Sequence, residues 1–381
     1  MSKKKILFLT STRADFSKIK SLILKLQKNK NYHVNVFVTG MHLLKVYGFT
    51  FKELCRSNIK NIFKFKNQNE TNYSMTKSLS LTINALNKYL TKKKTDLIIV
   101  HGDRMEALAG AIAGSFNNIH VGHIEGGEIT GTIDESIRHS VSKLSHYHFV
   151  SNEESKKRLI QMGENKDAIF IIGSPDLDIM KKKNLPSINK TKKLYDIRFD
   201  KYSIMIFHPV TTDKIENKKN LKIIKKLVNE KNSENYICIY PNNDPGSESF
   251  LKLYKKLEQK KNFITFPSMR FEYFLTLLKN SKYIIGNSSA GVREAPFYGI
   301  NCINIGTRQN NRVKLSKLIH NSKNYNQVIR NIKKIMKLKK IKYKKQNFGF
   351  GDSDKRILKI LSYKKFWKLN IQKFFNDFDK I

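Results

Sequence analysis

Short apolar runs alternate with amphipathic segments along most of this chain. In the first half the apolar runs are KILFLT (5–10), HVNVFV (33–38), LIIV (97–100), IHVGHI (119–124), YHFV (147–150) and IFII (169–172). Helical spacing lies between them, most clearly at 14–28, 73–90, 104–116, 134–145 and 152–162. Strands that alternate with helices are typical of βαβ units, in which parallel strands are buried on both faces. The pattern therefore predicts an α/β fold with a parallel sheet.

A second series of the same kind follows a polar, lysine-rich passage that ends near residue 200. Its apolar runs are YSIMIF (202–207), YICIY (236–240), FITF (263–266), YIIG (283–286) and NCINI (301–305). A chain of 381 residues is long for one hydrophobic core. We therefore expect two Rossmann-like domains that face a central cleft. They are predicted at 1–174 and 175–350, with C-terminal helices at 351–381 that pack back on the domains and no strand in the last seventy residues.

The formal charge of +42 is unusual for a globular chain, and it raises the question of a nucleic-acid or membrane partner. The excess is lysine, scattered in short runs such as Lys3–Lys5 and Lys181–Lys183, and asparagine and isoleucine are also frequent, as an AT-rich genome would produce. The sequence therefore predicts neither a nucleic-acid nor a membrane partner. Surfaces covered by lysine would still favour a phosphorylated small molecule.

Cysteine usage and the N-terminus indicate the compartment. Cys55, Cys238 and Cys302 lie far apart and form no CxxC pair, which suits a reducing environment. The first apolar run is too short for a signal peptide, and no run approaches the roughly 18–20 apolar residues that span a bilayer. We expect a cytoplasmic protein.

Charged side chains follow two neighbouring strands of the first predicted domain. The run LIIV leads into His101, Asp103 and Arg104, and IHVGHI leads into Glu125 and Glu128. In open α/β sheets, ligands bind beyond the carboxyl ends of the strands. Because unpaired charges are costly to bury, these side chains are unsuited to a core. Their position predicts an active site.

The segment that follows allows structural interpretations as well. Thr132 and Glu135 have the spacing of a capping box, and Asp134–Arg138 and Glu135–His139 are i,i+4 pairs on a predicted helix. Glu135 is the best candidate for a purely structural role. A metal site is another interpretation, since the segment contains the ligand types His101, Asp103, His120, His123 and Glu125. Their spacing fits no H-E-x-x-H or similar pattern, so no metal is predicted.

Several other strand ends carry groups suited to anions. After the first strand, backbone N–H groups at a helix start, with Arg13 and Ser17, could bind a phosphate or form an ordinary N-cap. The dinucleotide fingerprint G-x-G-x-x-G is absent there, which argues against NAD. The second half offers a small-residue turn at 286–291, whose helix start could cradle a phosphate, and a carboxylate suited to ribose hydroxyls. The groups in question are His208, Asn242, Ser288, Ser289, Glu294 and Arg308.

Seven segments together resemble one family, the hydrolysing UDP-N-acetylglucosamine 2-epimerases. They are RADFSK (13–18), HGDR (101–104), HIEGGEITGTIDESIRH (123–139), HPVTTD (208–213), YPNNDPGS (240–247), GNSSAGVRE (286–294) and GTRQNNR (306–312). They occur in order from the first strand to about residue 312, and the long central block is highly specific. The last seventy residues match weakly.

The resemblance implies a GT-B fold and the conversion of UDP-GlcNAc and water into N-acetylmannosamine and UDP, for sialic or other nonulosonic acid biosynthesis. It implies an acid/base set at Asp103, Glu125, Asp134 and His208, with Glu128 and Arg138 in support. It implies a UDP-sugar set at Arg13, Ser17, Arg104, His208, Asn242, Ser288, Ser289, Glu294 and Arg308. No metal or redox cofactor is implied, and a homodimer or homotetramer is expected.

Other functions stay open at this point. A related hydrolysing epimerase acts on a nucleotide-linked 2,4-diacetamido-2,4,6-trideoxy sugar of the legionaminic acid pathway, and its motifs look much the same. Non-hydrolysing epimerases and retaining GT-B glycosyltransferases share the fold. A basic protein that binds nucleic acid or polysaccharide would explain the charge, but it would leave the strand-end residues without a purpose.

Overall fold

A computed structural model of the chain describes residues 2–70, 74–130, 132–182, 185–229, 234–310, 316–338 and 348–377. Its strands are β1 (Lys4–Thr10), β2 (Tyr32–Val38), β3 (Ile62–Lys64), β4 (Leu97–His101), β5 (His120–Ile124), β6 (Tyr147–Val150), β7 (Ile169–Ile171), β8 (Ser203–Ile206), β9 (Tyr236–Ile239), β10 (Phe263–Phe266), β11 (Tyr283–Gly286), β12 (Asn301–Ile305) and β13 (Ile319–Ser322). The helices of the first half are α1 (Arg13–Gln27), α2 (Phe51–Arg56), α3 (Met75–Lys92), α4 (Met105–Phe116), α5 (Ile133–Leu144), α6 (Glu153–Gln161) and α7 (Asp176–Met180). Those that follow are α8 (Ile188–Leu194), α9 (Lys214–Asn229), α10 (Ser247–Leu257), α11 (Phe271–Lys279), α12 (Ser289–Val292), α13 (Glu294–Phe297), α14 (Tyr325–Met336) and α15 (Ser353–Ser362).

The chain divides into two units, and each is built on one sheet. The first unit comprises 1–128, 134–182 and 347–381, and the second comprises 129–133 and 183–346. The first sheet has the order β3-β2-β1-β4-β5-β6-β7 and the second β10-β9-β8-β11-β12-β13. All strand pairings in both sheets are parallel. The domain limits at residues 174 and 350 stay a prediction.

The uninterrupted apolar run of β1 reflects burial on both faces of the first sheet. Ile6 and Phe8 pack in a core with the inner face of α1, whereas Leu7 and Leu9 pack on the opposite face with α3 and α4. Because side chains alternate between the faces of a strand, a sheet covered by helices on both sides needs apolar residues at every position. The second sheet has a core of the same kind, which includes Met205 on β8 and Ile224 on α9.

Two edge strands are absent from the sequence prediction. β3 is three residues long and mostly exposed, so its segment IFK has no apolar run to detect. β13 is also an edge strand, and it lies in the stretch that was expected to contain helices alone, so that expectation is wrong. The predicted helix at 73–90 begins at a residue outside the described ones, and its remainder corresponds to α3. Within the described ranges, no helix is both long and apolar enough to cross a membrane.

Candidate active site

Each sheet has one point at which its strand order reverses. In the first sheet this point lies between β1 and β4, and in the second it lies between β8 and β11. Loops beyond the carboxyl ends of such strands diverge and leave a crevice in which ligands bind. The sequence-predicted residues Arg13 and Asp103 follow β1 and β4, and His208 and Ser288 follow β8 and β11. The two units are considered in turn.

The end of β1 is occupied by a capping network rather than an open ring of N–H donors. Thr12 accepts from the N–H of Asp15, whose carboxylate accepts from the N–H groups of Ser11 and Thr12. Of the two interpretations of this helix start, the structure shows the N-cap. Arg13 begins α1 half-buried, and the buried Ser17 hydroxyl donates to the carbonyl of Ala14 at 2.7 Å. The N–H groups of Ser11 and Thr12 are therefore occupied within the chain.

Glu125 is the centre of a buried polar cluster at the end of β5. Its backbone has a positive φ of 62°, and its side chain is 3% exposed. The carboxylate accepts from Lys18 Nζ at 2.9 and 3.1 Å, from His101 Nε2 at 3.2 Å and from the Ser174 hydroxyl. The ammonium of Lys18 also lies 3.5 Å from Asp176. Because an opposite charge and hydrogen bonds compensate its burial, this carboxylate is held in one orientation.

Gly126 and Gly127 bring the chain away from Glu125 through a crowded turn. A Cβ on Gly126 would lie 2.9 Å from both His123 Nδ1 and Ser142 Oγ. Gly127 has φ +73°, and a Cβ there would lie 2.3 Å from the carbonyl oxygen of Ser155. The paired glycines are therefore required by backbone conformation and by contact with α6.

Asp103 and Arg138 form an ion pair that the sequence did not predict. Arg138 is 1% exposed, and its guanidinium donates to Asp103 Oδ2 and, at 3.0 Å, to the carbonyl of Glu128. Asp103 keeps a quarter of its side chain exposed. The buried carboxylate of Glu128 accepts from Ser151 at 2.9 Å. Arg138 thus joins the loops after β4 and β5, and it holds a partly accessible carboxylate between them.

His123 positions the loop that carries Asp103. Its Nε2 donates to the carbonyl of Gly102 at 2.8 Å, and Nδ1 lies 3.0 Å from Ser142 Oγ. Full burial lowers the pKa of His123 to about 3, so the ring is neutral with its proton on Nε2. Arg104 lies beside the buried Glu106, with Nε 3.4 Å from Oε2. This pairing places Arg104 at the start of α4, next to Asp103.

Asp134 lies half-buried in the first turn of α5, within the first unit. Its neighbour Glu135 pairs with His139 at 3.8 Å, one helical turn away. The sequence spacing indicated this i,i+4 contact, and the purely structural role of Glu135 stays a prediction. Among the side chains behind the metal interpretation, His120 donates to the carbonyl of Leu369, His123 to that of Gly102, and His101 to Glu125.

In the second unit His208 follows β8 with a defined tautomer. The backbone N–H of Asn242 donates to His208 Nδ1 at 3.1 Å. A ring nitrogen that accepts a hydrogen bond carries no proton, so the neutral ring is protonated at Nε2. His208 is 8% exposed and Asn242 is half-buried. The ring therefore presents a donor rather than an acceptor at Nε2.

The turn after β11 is tighter and its helix shorter than the sequence indicated. Gly286 has φ +139°, and a Cβ there would lie 1.8 Å from the carbonyl oxygen of Ile206. Ser288 caps α12 by accepting from Ala290, and Ser289 begins that helix. The helix ends after four residues, and Glu294, 6% exposed, begins the separate α13. One turn has little macrodipole, so the expected phosphate cradle depends on side chains and individual N–H groups.

Arg308 lies beyond β12 and contacts the same turn. Its Nη1 is 3.4 Å from the carbonyl oxygen of Asn287, which also accepts from Gln309 Nε2 at 2.9 Å. Asn287 itself is fully buried and bonds to both backbone groups of His208. The second-unit residues His208, Ser288 and Arg308 are therefore tied to one another through Asn287. Arg312, at the end of the GTRQNNR segment, lies outside the described residues.

Sequence reasoning missed the side chains that hold these groups in place. Lys18, Ser174 and Asp176 surround Glu125, and Asn287 and Gln309 organise the second-unit loops. All but Ser174 and Asp176 lie inside the segments that carried the family resemblance. The signal that could have found Lys18 is its position one and a half turns after Arg13 on the helix that leaves the switch point.

Comparison with known proteins agrees with the fold. The chain is 43% identical over 378 residues to the UDP-N-acetylglucosamine 2-epimerase of Neisseria meningitidis serogroup B, which covers 98% of this chain and 99% of that protein. It is 32% identical over 366 residues to the hydrolysing UDP-N,N'-diacetylbacillosamine 2-epimerase of Legionella pneumophila, covering 94% and 95%. A crystal structure of N. meningitidis UDP-GlcNAc 2-epimerase bound to UDP-GlcNAc superposes with a TM-score of 0.77 at 22% identity, covering 94% and 99%.

That structural likeness confirms the predicted fold class, the two Rossmann-like domains of a GT-B protein. The match to a family extends further along the chain than the seven segments do. Residues 24–362 match the family described as UDP-N-acetylglucosamine 2-epimerase. The chain belongs to the UDP-N-acetylglucosamine 2-epimerase family.

Proposed function

We propose that this chain is a hydrolysing UDP-GlcNAc 2-epimerase, which converts UDP-GlcNAc and water into N-acetylmannosamine and UDP for nonulosonic acid biosynthesis. Among the structural observations, the placement of two carboxylates supports this proposal most directly. Two carboxylates, Asp103 and Glu125, follow the adjacent strands β4 and β5, and each is paired with a cation, the buried Arg138 for Asp103 and Lys18 for Glu125. The high similarity to the N. meningitidis epimerase supports the same activity.

The reaction needs groups that remove and return protons on opposite faces of the sugar. A base takes the C2 proton while the bond from C1 to the diphosphate oxygen breaks, and UDP leaves with the bonding electrons. Water then adds across the resulting double bond, with hydroxide at C1 and a proton at C2 on the opposite face. Two carboxylates in different environments suit these two roles. Asp103, Glu125 and Asp134 are the proposed acid/base groups of the first unit.

Asp103 and Glu125 lie in different environments, as two carboxylates with different acid/base roles require. Glu125 is enclosed by Lys18, His101 and Ser174, which hold its carboxylate in a fixed orientation. Asp103 is a quarter exposed and has Arg138 on one side. A partly exposed carboxylate can exchange protons with water between turnovers. Glu128 and Arg138 then support the acid/base groups without reacting.

The second unit supplies the proposed nucleotide-binding groups. His208 offers its Nε2–H as a donor to a departing phosphate oxygen, because Nδ1 accepts from Asn242. Arg308 adds a positive charge, and the Ser288 and Ser289 hydroxyls add donors. Such groups stabilise negative charge as it develops on the leaving diphosphate. Buried Glu294 is the proposed acceptor for ribose hydroxyls, and Arg13, Ser17 and Arg104 complete the UDP-sugar set from the first unit.

The proposal is tested by incubating the protein with UDP-GlcNAc in deuterated water and following the products by NMR. We expect UDP and free N-acetylmannosamine with deuterium at C2. Intact UDP-N-acetylmannosamine would assign the chain to the non-hydrolysing class and overturn the hydrolytic step. Absence of turnover, from protein whose binding of UDP is confirmed by calorimetry, would overturn the choice of sugar.

A 2,4-diacetamido sugar is the second candidate substrate, favoured by the similarity to the L. pneumophila enzyme. Direct competition between UDP-GlcNAc and UDP-N,N'-diacetylbacillosamine separates the two. We expect the larger kcat/KM for UDP-GlcNAc, because the chain is more similar to the N. meningitidis protein over nearly its full length. A cytoplasmic location and a homodimer or homotetramer remain part of the proposal, and light scattering of the purified protein tests the assembly.

A further inference from the structure

The chain returns to the first unit after residue 347 and contacts the strand end beside Glu125. The backbone N–H of Ser174 donates to the carbonyl of Phe348 at 2.7 Å. Gly173 and Gly349 lie back to back at this point: a Cβ on Gly349 would be 2.5 Å from Gly173 Cα. The reverse distance, from a Cβ on Gly173 to Gly349 Cα, would be 3.1 Å. This close backbone approach therefore requires glycine at 349, and the φ of +80° favours glycine at 173.

The same turn holds the carboxylate of Glu125. Ser174 is fully buried, and its hydroxyl donates to Glu125 Oε1. Two residues later, Asp176 lies 3.5 Å from the Lys18 ammonium that also binds Glu125. The turn at 173–176 thus contacts Glu125 directly through Ser174 and indirectly through Lys18.

Further contacts fix the returning segment against the first unit. Asp178 accepts from the N–H groups of Ser353 and Asp354 at 2.9 and 3.0 Å, at the start of α15. Lys181 Nζ donates to the carbonyl of Phe350 at 2.5 Å. The segment at 348–354 is therefore held on both sides of Gly351 and is a rigid partner for the Gly173–Ser174 turn.

We propose that the C-terminal segment at 348–354 positions the reacting carboxylate of Glu125, with Ser174 as the positioning residue that transmits the contact. The inference rests on the proposed function, because it assigns a role relative to Glu125. The Ser174 hydroxyl can hold one carboxylate oxygen only while its own backbone is fixed by Phe348 and Gly349. Displacement of the segment would let the carboxylate rotate away from the geometry in which it exchanges a proton.

Three variants of the full chain test this role. Ser174→Ala removes the hydroxyl donor. Gly349→Ala pushes the segment from Gly173, and it keeps the hydroxyl. Gly163→Ala is the matched control, because it also has a positive φ, of +77°, and its Cβ would lie 2.7 Å from Phe375 Cε2, a C-terminal residue outside the segment 348–354. Each variant is assayed for UDP release from UDP-GlcNAc across pH, for UDP affinity and for its thermal unfolding midpoint.

We expect kcat to fall roughly tenfold or more in Ser174→Ala and Gly349→Ala, because small misplacement of a reacting group is costly. The acidic limb of the pH–rate profile should move to higher pH in Ser174→Ala, since the ionised carboxylate loses a donor. UDP affinity should stay within about twofold, and Gly163→Ala should keep kcat within about twofold even where its unfolding midpoint falls.

The outcomes distinguish failure of the proposed function from failure of the positioning role. An unsubstituted protein that releases no UDP from the nucleotide sugar would overturn the proposed function. With an active parent, the positioning role is overturned if all three variants lose kcat in proportion to their lost stability. It is also overturned if Ser174→Ala keeps the parent's kcat and pH profile.

Discussion

Asn287 and His208 are joined by a reciprocal pair of hydrogen bonds. The Asn287 amide donates to the carbonyl of His208 at 2.8 Å, and the N–H of His208 donates to Asn287 Oδ1 at 2.7 Å. The two residues follow β11 and β8, the neighbours at which the strand order of the second sheet reverses. The carbonyl of Asn287 also accepts from Gln309. One fully buried residue therefore fixes three loops of the proposed nucleotide site.

Replacing Asn287 should weaken nucleotide binding as well as the fold. We expect Asn287→Ala to lower the free energy of unfolding by about 2–3 kcal/mol, since it leaves buried backbone groups of His208 without partners. UDP affinity should fall roughly tenfold, because loop geometry is lost with the hydrogen bonds. Calorimetry with UDP and urea unfolding measure the two effects.

Asn304→Ala is the control for that variant. Asn304 is also buried in the second sheet, where its amide donates to Asn321 Oδ1 at 2.8 Å on the neighbouring strand. The Asn304→Ala variant should have a lower free energy of unfolding and an unchanged affinity for UDP. Equal losses of affinity in the two variants would show that the Asn287 effect is general destabilisation.

The proposed acid/base carboxylates should be needed for turnover and dispensable for nucleotide binding. We expect Glu125→Gln and Asp134→Asn to lower kcat by about 100-fold or more, as loss of a general acid or base does. UDP binding should persist. Glu135→Gln is the control, because Glu135 adjoins Asp134 and pairs with His139 on the same helix. Near-full activity of Glu125→Gln and Asp134→Asn would refute the catalytic assignment.

Arg138 should not tolerate lysine, although lysine keeps the charge. Its guanidinium serves Asp103 and the carbonyl of Glu128 at once, which a single ammonium cannot reproduce in the same geometry. We expect Arg138→Lys to lower the free energy of unfolding by about 2 kcal/mol. Arg158→Lys should lower it by less than about 0.5 kcal/mol, since Arg158 is only half-buried and donates at 3.0 Å to the carbonyl of Gly127, which a lysine can also reach. Chemical denaturation measures the free energy of unfolding of both variants. Equal losses would show that the forked geometry of the Arg138 guanidinium is unimportant.

Gly102 and Gly127 provide a matched test of contact against backbone strain. Both have φ +73°, but a Cβ on Gly102 would meet nothing within 4 Å, whereas one on Gly127 would lie 2.3 Å from Ser155 O. Gly102→Ala should lower the free energy of unfolding by about 1 kcal/mol, the usual penalty for a side chain in a left-handed conformation. Gly127→Ala should lower the free energy of unfolding by at least about 2 kcal/mol more, because the backbone at Gly127 must move away from that at Ser155. Equal unfolding midpoints would mean that the turn relaxes freely.

Buried neutral histidines should make the fold sensitive to acid. Burial lowers the pKa of His42 and His146 to about 4 and that of His123 to about 3. In the unfolded chain these groups take up protons near pH 6.5, so stability is lost as the pH falls from about 6.5 toward 4. Asp178 acts in the opposite direction, since burial raises its pKa to about 6 and the folded chain keeps a proton that the unfolded chain releases.

These three histidines and Asp178 together contribute a slope of about two protons, or about 2.7 kcal/mol per pH unit, near pH 5. The lowered pKa values of His120, His139, His148 and His320 add to the slope in the same direction. Urea unfolding over this range measures the slope. His146→Gln should reduce it by about one proton. A slope that His146→Gln leaves unchanged would mean that this ring titrates alike in the folded and unfolded chains.

The strands and the strand-end chemistry could be predicted from sequence because they depend on local pattern. The run KILFLT is apolar at successive positions because β1 is covered on both faces, and that alone marks it as a central parallel strand. The edge strand β3 has no such requirement, since it is mostly exposed, and its sequence carries no signal. The sequence analysis did not predict β13 for a related reason, since an edge strand needs only partial burial.

Partners distant in the chain could not be predicted. Local spacing makes Arg138 a neighbour of Asp134, one turn away, but it gives no sign that the Arg138 guanidinium contacts Asp103, 35 residues away. Lys18 reaches Glu125 across 107 residues, because β1 and β5 both flank β4 in the sheet. The sequence determined the central strands and about where they end, since burial on two faces dictates composition. The tertiary structure decided which charges meet, because strand order brings together ends that no periodicity connects.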